Sequence, residues 1–135
     1  MGSMLIVNIV KSKTIRLRCN VHSADGEDIV PVSLIYDTGA DRTSITRDVL
    51  VGIGYTKFIR SKINKRTAMG TFKPYKCTIS KLVVGNQFSV DNMTIDVLEG
   101  SSSPNFDGVI GMDFISLVES IISGSKKTLE ITKIV

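Results

Sequence analysis

Short β-branched apolar runs alternate with polar positions along most of this chain, recurring about every dozen residues between Gly, Asn, Ser and Asp turns. A two-residue period puts successive side chains on opposite faces of a strand, so the pattern predicts strands rather than amphipathic helices. The runs are Leu5 to Val10, Thr14 to His22, Val30 to Tyr36, Phe58 to Thr67, Tyr75 to Val84, Asn92 to Val97 and Thr128 to Lys133. Asp25-Gly26 and Gly85-Asn86 carry hairpin-turn chemistry. Two segments depart from the pattern and predict short helices beside the core: Thr43 to Val51, with Ser44 placed to cap it, and Met112 to Ser120, following Gly111 with Asp113 near its start. Glu99-Gly100-Ser101-Ser102-Ser103-Pro104-Asn105 is small and polar enough for a surface loop. In the tail, Leu129 and Ile131 alternate with polar neighbours, as in a strand with one buried face and unmet pairing capacity.

The expected fold class is therefore all-β, a sandwich or barrel with one or two short helices. A chain of 135 residues suits one domain that buries about two thirds of its unfolded surface. Met1-Gly2-Ser3 ahead of Met4 has the form of an expression-tag scar, which leaves residues 4–135 as the single domain. With 42% hydrophobic and 22% charged residues, the composition is that of an ordinary globular protein. Met4-Leu5-Ile6-Val7 is too short for a signal-peptide core or a membrane span, so no membrane partner and a cytoplasmic location are expected.

The formal net charge of +4 is spread along the chain and densest from Lys57 to Lys65, with Arg60, Lys62 and Arg66 close by, where only Phe58 interleaves. A nucleic-acid footprint needs a tighter basic face, so no nucleic acid is expected; a solvated strand accounts for the run, with an acidic substrate or a weak polyanion contact as the alternatives. The two cysteines, Cys19 and Cys77, lie in separate apolar segments without metal-ligand spacing, as buried reduced thiols would. No metal and no cofactor are expected. His22, the single histidine, sits beside the turn Ser23-Ala24-Asp25-Gly26, a poor place for Ser-His or Cys-His chemistry.

The candidate chemistry lies in Asp37-Thr38-Gly39-Ala40, which ends the apolar run Ile29 to Tyr36. A carboxylate where a buried strand breaks into a glycine turn is expected to be desolvated on its strand side, which makes its proton affinity tunable. Three elements in order, Asp37-Thr38-Gly39-Ala40-Asp41, Arg66-Thr67-Ala68-Met69-Gly70-Thr71 and Val109-Ile110-Gly111, resemble the active-site loop, the flap and the hydrophobic-glycine motif of a retropepsin-like aspartic protease. Phe106-Asp107-Gly108-Val109-Ile110-Gly111-Met112-Asp113-Phe114 is similar to cellular or bacterial members.

That resemblance implies a closed acid-protease-type barrel and a homodimer with a shared active site, since water activation takes two carboxylates sharing one proton and the chain has one such triplet. Asp37, Thr38 and Gly39 are the candidate catalytic group, with Asp37 as base and acid, Thr38 locking the two loops together and Gly39 admitting the substrate backbone. Ala40, Asp41, Ala68, Met69, Gly70, Val109 and Ile110 are the candidate substrate-binding residues. Asp41 reads equally as an Asx-type acceptor within its own loop. Asp107 lacks a following hydroxyl residue and reads as a turn residue, while Asp113 suits a helix start. The implied activity is endopeptidase action on peptide or protein substrates; a catalytically weak dimerisation or peptide-binding domain is the alternative, because a fold does not guarantee its chemistry.

Overall fold

The structure, a computed structural model, describes residues 4–9, 14–67, 70–100 and 103–133. In chain order the elements are β1 (Met4–Asn8), β2 (Arg16–His22), β3 (Ile29–Tyr36), β4 (Ser44–Thr46), α1 (Arg47–Gly52), β5 (Ile59–Arg60), β6 (Lys65–Thr67), β7 (Gly70–Phe72), β8 (Tyr75–Val84), β9 (Phe88–Leu98), β10 (Gly108–Ile110), α2 (Met112–Ile115), β11 (Val118–Ser123) and β12 (Thr128–Lys133). The alternation in β2 buries Leu17, Cys19 and Val21 and exposes Arg16 and Arg18. β3 pairs antiparallel with it, setting Leu34 opposite Leu17 and Val32 opposite Cys19 on the same inner face. Both predicted hairpin turns form. Gly85 and Asn86 take φ of 59° and 60°, the left-handed pair that a primed turn uses to join β8 to β9.

The strands run in the order β2-β3-β10-β4-β9-β8, and β8 pairs back onto β2 through Cys19 and Val84. A six-strand barrel is thereby closed, with β5 hanging on β8 and no free edge among these six. Its interior is filled by Leu34, Ile45, Ile79, Leu82, Ile95 and Ile110, all fully buried. Crucially, β10 lies between two strands far from it in sequence, parallel to β3 and antiparallel to β4. The loop between β3 and β4, which carries Asp37, is therefore pinned from beneath by the end of β10.

Several boundaries differ from the sequence reading. Thr43 to Val51 is not one helix: β4 occupies its start, Ser44 is buried in that strand, and α1 begins at Arg47 after an N-cap, Thr46, that makes no side-chain cap bond. The helix expected from Met112 to Ser120 ends at Ile115, and β11 takes over at Val118. The run Phe58 to Thr67 breaks at Ser61, which turns inward; its hydroxyl accepts the Ile63 N–H (3.1 Å) and donates to the Ile63 carbonyl (3.2 Å). β12 has no unmet edge, since β1 and β11 pair on its two sides and are themselves the outer strands. Met4, Ile6 and Ile121 stay exposed on these outer strands. No helix of the described residues is long and apolar enough to cross a membrane.

Cys19 and Cys77 are free and buried, as expected. Burial pushes the Cys19 thiol up from 9.0 to about 12 and raises that of Cys77 as well. An unfolded chain would ionise these thiols above pH 9.0 while the native state keeps them protonated. Their burial thus stabilises the fold fully below that pH, and this contribution is lost progressively as pH climbs toward 12. Neither thiol is expected to react with an aromatic disulfide reagent at about pH 8 until the protein unfolds, because the thiolate is the nucleophile. Rapid labelling of native protein, followed by absorbance, would contradict this placement.

Candidate active site

Asp37 is the first residue past β3. Its N–H donates to the Ile110 carbonyl at 3.0 Å, so the β10 end holds the chain as it leaves the barrel. The Asp37 carbonyl accepts the Ala40 N–H (3.2 Å), and its Oδ1 accepts the Gly39 N–H (2.8 Å), closing a tight turn. Asp37, Thr38 and Gly39 are all exposed, in contrast to the strand-side desolvation expected from the sequence. Burial stops at Tyr36, whose hydroxyl bonds that of Ser120 on β11, and the carboxylate projects beyond the core. Gly39 has a local reason to lack a side chain: a Cβ there would stand 3.2 Å from Asp37 Oδ1 and crowd the carboxylate.

The rest of the loop is clamped to α2. Ala40 and Asp41 offer their carbonyls to the N–H groups of Met112 (2.7 Å) and Asp113 (3.1 Å). Thr43, fully buried, donates its N–H to Asp113 Oδ2 (2.9 Å) and its hydroxyl to Asp113 Oδ1 (2.7 Å), while that hydroxyl accepts the Gly111 N–H (3.2 Å). Asp113 thus does more than favour a helix start: its carboxylate is the acceptor that ties the loop to α2. Asp107 behaves as the turn residue expected ahead of β10, accepting the Ser33 N–H on Oδ2 at 2.8 Å.

A cleft of about 430 Å³ opens over this loop. Asp37, Gly39, Ala40, Asp41 and Val109 line it from the barrel side, and Ile63 to Thr67, leading into the β6–β7 hairpin, line it from the other. Of the remaining predicted binding residues, Ile110 is fully buried in the core and contributes no surface. Thr38 does not line the cleft either. Gly70 opens β7 opposite Thr67, whose hydroxyl bonds its carbonyl at 3.2 Å; Ala68 and Met69 lie outside the described residues.

The sequence reading overlooked Asp96. This residue is 4% exposed within β9, yet it lines the cleft between two cations, Arg42 Nε at 3.5 Å and Lys65 Nζ at 3.1 Å. The available signal was a carboxylate inside the apolar stretch Ile95-Asp96-Val97, where an ionised group is tolerated only with partners.

A closed six-strand barrel, a hairpin beside a cleft, and an Asp-Thr-Gly turn held by a hydrophobic-glycine strand together define the retropepsin-like fold. The chain belongs to the aspartyl protease family, whose sequence model matches residues 20–114. The structure is similar to that of a retropepsin-like aspartic protease from Rickettsia conorii, with 18% identity over 98% of this chain and 93% of that one and a TM-score of 0.70. It is also similar to the retroviral protease-like domain of Ddi1 from Leishmania major, with 14% identity over 93% and 97% of the two chains and a TM-score of 0.55. At such identities the likeness is one of fold. No curated protein matches the sequence.

Proposed function

We propose that residues 4–135 act as one aspartic endopeptidase domain whose active site assembles from two copies of the chain. The observation that carries this reading is the exposed Asp37 carboxylate, fixed at the end of β3 and opening onto a cleft beside a hairpin. The Asp37 side chains of two protomers meet at a two-fold axis. At roughly 3 Å two like charges cannot both ionise, so the pair holds one proton between them. The ionised member takes a proton from a bound water as that water attacks the scissile carbonyl, while the protonated member hydrogen-bonds the carbonyl oxygen. No covalent intermediate forms. Thr38, outside the cleft of one protomer, bonds across the interface and locks the two loops in register. Ala40, Asp41 and Val109 hold an extended substrate from one side, and the hairpin through Ala68, Met69 and Gly70 closes from the other and excludes water. The exposed Met4, Ile6 and Ile121 of the terminal sheet give the association an apolar surface to bury.

A site built from two copies has a kinetic signature. Cleavage of an unstructured protein is expected to rise with the square of protein concentration below the dimer dissociation constant and linearly above it. Serine- and thiol-directed reagents leave it unchanged. A rate strictly proportional to concentration through the monomer–dimer transition, tracked by analytical ultracentrifugation, would refute the shared site. Absence of cleavage where the protein is demonstrably dimeric would favour peptide capture instead.

A further inference from the structure

Asp96 carries a charge that the proposed reaction does not use. It is buried between β4 and β8, pairing with Ser44 and Lys76 along the strand ladders, and its N–H donates to the Thr43 carbonyl at 2.9 Å. Its side chain is 6% exposed, whereas the cations it holds reach the cleft, Arg42 with 36% of its side chain exposed and Lys65 with 27%. A ligand entering beside Asp96 therefore meets the two more exposed cations ahead of its carboxylate, within a cleft that Asp37 and Asp41 also line. Lys65 Nζ spends one donor on Asp96 Oδ2. Arg42 approaches Asp96 Oδ1 most closely through Nε at 3.5 Å, an ion pair without a hydrogen bond on that oxygen, and its planar guanidinium lines the cleft as a multiple donor. Arg66 adds a third cation to the same lining.

We infer that Arg42 and Lys65 form a substrate subsite that selects an acidic side chain, with Asp96 as the positioning residue that holds both cations. The inference rests on the peptide-substrate reading above and names its substrate class: extended segments carrying Glu or Asp at one fixed position. Arg42 lies in the Asp37 loop and Lys65 begins the hairpin, so an acidic side chain bound there bridges the two walls of the cleft.

The test uses pairs of extended peptides that differ only by Glu or Gln at each position in turn. Their kcat/KM is measured with the wild-type protein, and their affinity by fluorescence anisotropy with Asp37→Asn protein, which binds without turnover. Removing both cations alone would orphan a buried carboxylate, so the comparison protein is the triple variant Arg42→Met, Lys65→Met and Asp96→Leu, which replaces the whole trio by apolar side chains. Arg42→Met alone serves as a second variant if the triple fails to fold. At one position Glu is expected to bind about tenfold tighter than Gln in the parent protein, a preference that falls below about twofold in the variants and shrinks with added salt. Equal affinity for Glu and Gln at every position, or a preference that survives in the variants, overturns the subsite. Tight, Glu-selective binding without cleavage by the wild type leaves the subsite standing and overturns only the endopeptidase reading. Cleavage without Glu preference does the reverse, and failure to bind any peptide overturns both.

Discussion

Asp37→Asn protein is expected to fold and associate as the wild type does and to cleave peptide bonds at least about 10⁴-fold more slowly. The effect is large because one substitution removes two functions. In a site made from two identical chains, the same residue is the base in one protomer and the acid in the other, and an amide can neither accept the proton of water nor donate one in return. The fold has little reason to respond. Asp37 is exposed, and the one bond its side chain makes within the turn, Oδ1 accepting the Gly39 N–H, is available to the Asn carbonyl oxygen. Neither cysteine offers a substitute route, since Cys19 and Cys77 are buried thiols whose burial disfavours the thiolate. Turnover of an unstructured protein and the thermal unfolding midpoint, measured on the same samples, separate lost chemistry from lost structure. Retained cleavage would sink the mechanism, whereas a lowered unfolding midpoint would mean that Asp37 holds the loop together.

The parts of the fold legible in the sequence are those long enough to show a period. β2, β3 and β12 alternate over six to eight residues, each with a buried face set against exposed or half-buried positions, whereas β8 buries Cys77 and Ile79 and then shifts phase to bury Leu82 and Val84. β4 and β10 have three residues each, too few for a period, and their place is fixed only by the barrel closing around them. β11 hides for another reason: Ile121 and Ile122 are both exposed, so its apolar residues do not alternate. At the site, Asp37 was legible because its turn is local and its residue types are few. The Asp96 trio was not, because its three members come from the loop after β3, from β6 and from β9, and meet only once β9 is laid beside β4. The sequence reading put Ile110 beside Val109 at the cleft, yet Ile110 is buried and Val109 lines the cleft: neighbours on a strand point to opposite faces, and only register decides which one meets it.

Register also sets the second large effect, at Gly111. This glycine follows β10 at φ −105°, a conformation open to any residue, so strain is not what excludes a side chain. Space is. A Cβ at this position would lie 2.6 Å from the Arg42 carbonyl carbon, 2.7 Å from the Ala40 oxygen and 2.8 Å from the Arg42 nitrogen, all backbone atoms of the Asp37 loop. Those atoms cannot swing aside as a side-chain tip could, because Thr43 and Asp113 hold the loop by two hydrogen bonds and Met112 and Asp113 hold it by two more. Gly111→Ala must therefore push the loop and α2 apart, at a cost of about 3 kcal/mol, the upper end of what overpacking a well-filled interior takes. That is a large share of the roughly 5–15 kcal/mol by which a domain is stable. Where the variant still folds, a loop displaced by about 1 Å is expected to lower kcat/KM about 10²-fold, since in the proposed two-chain site the carboxylates would no longer meet in register. Gly124→Ala is the matched control, because nothing lies within 4 Å of the Cβ it would add. Urea titration of the two variants beside the wild type reads the difference as a shift in midpoint at unchanged slope. If Gly111→Ala proved as stable and as active as Gly124→Ala, then the contact between the hydrophobic-glycine strand and the Asp37 loop would not be what positions the carboxylate.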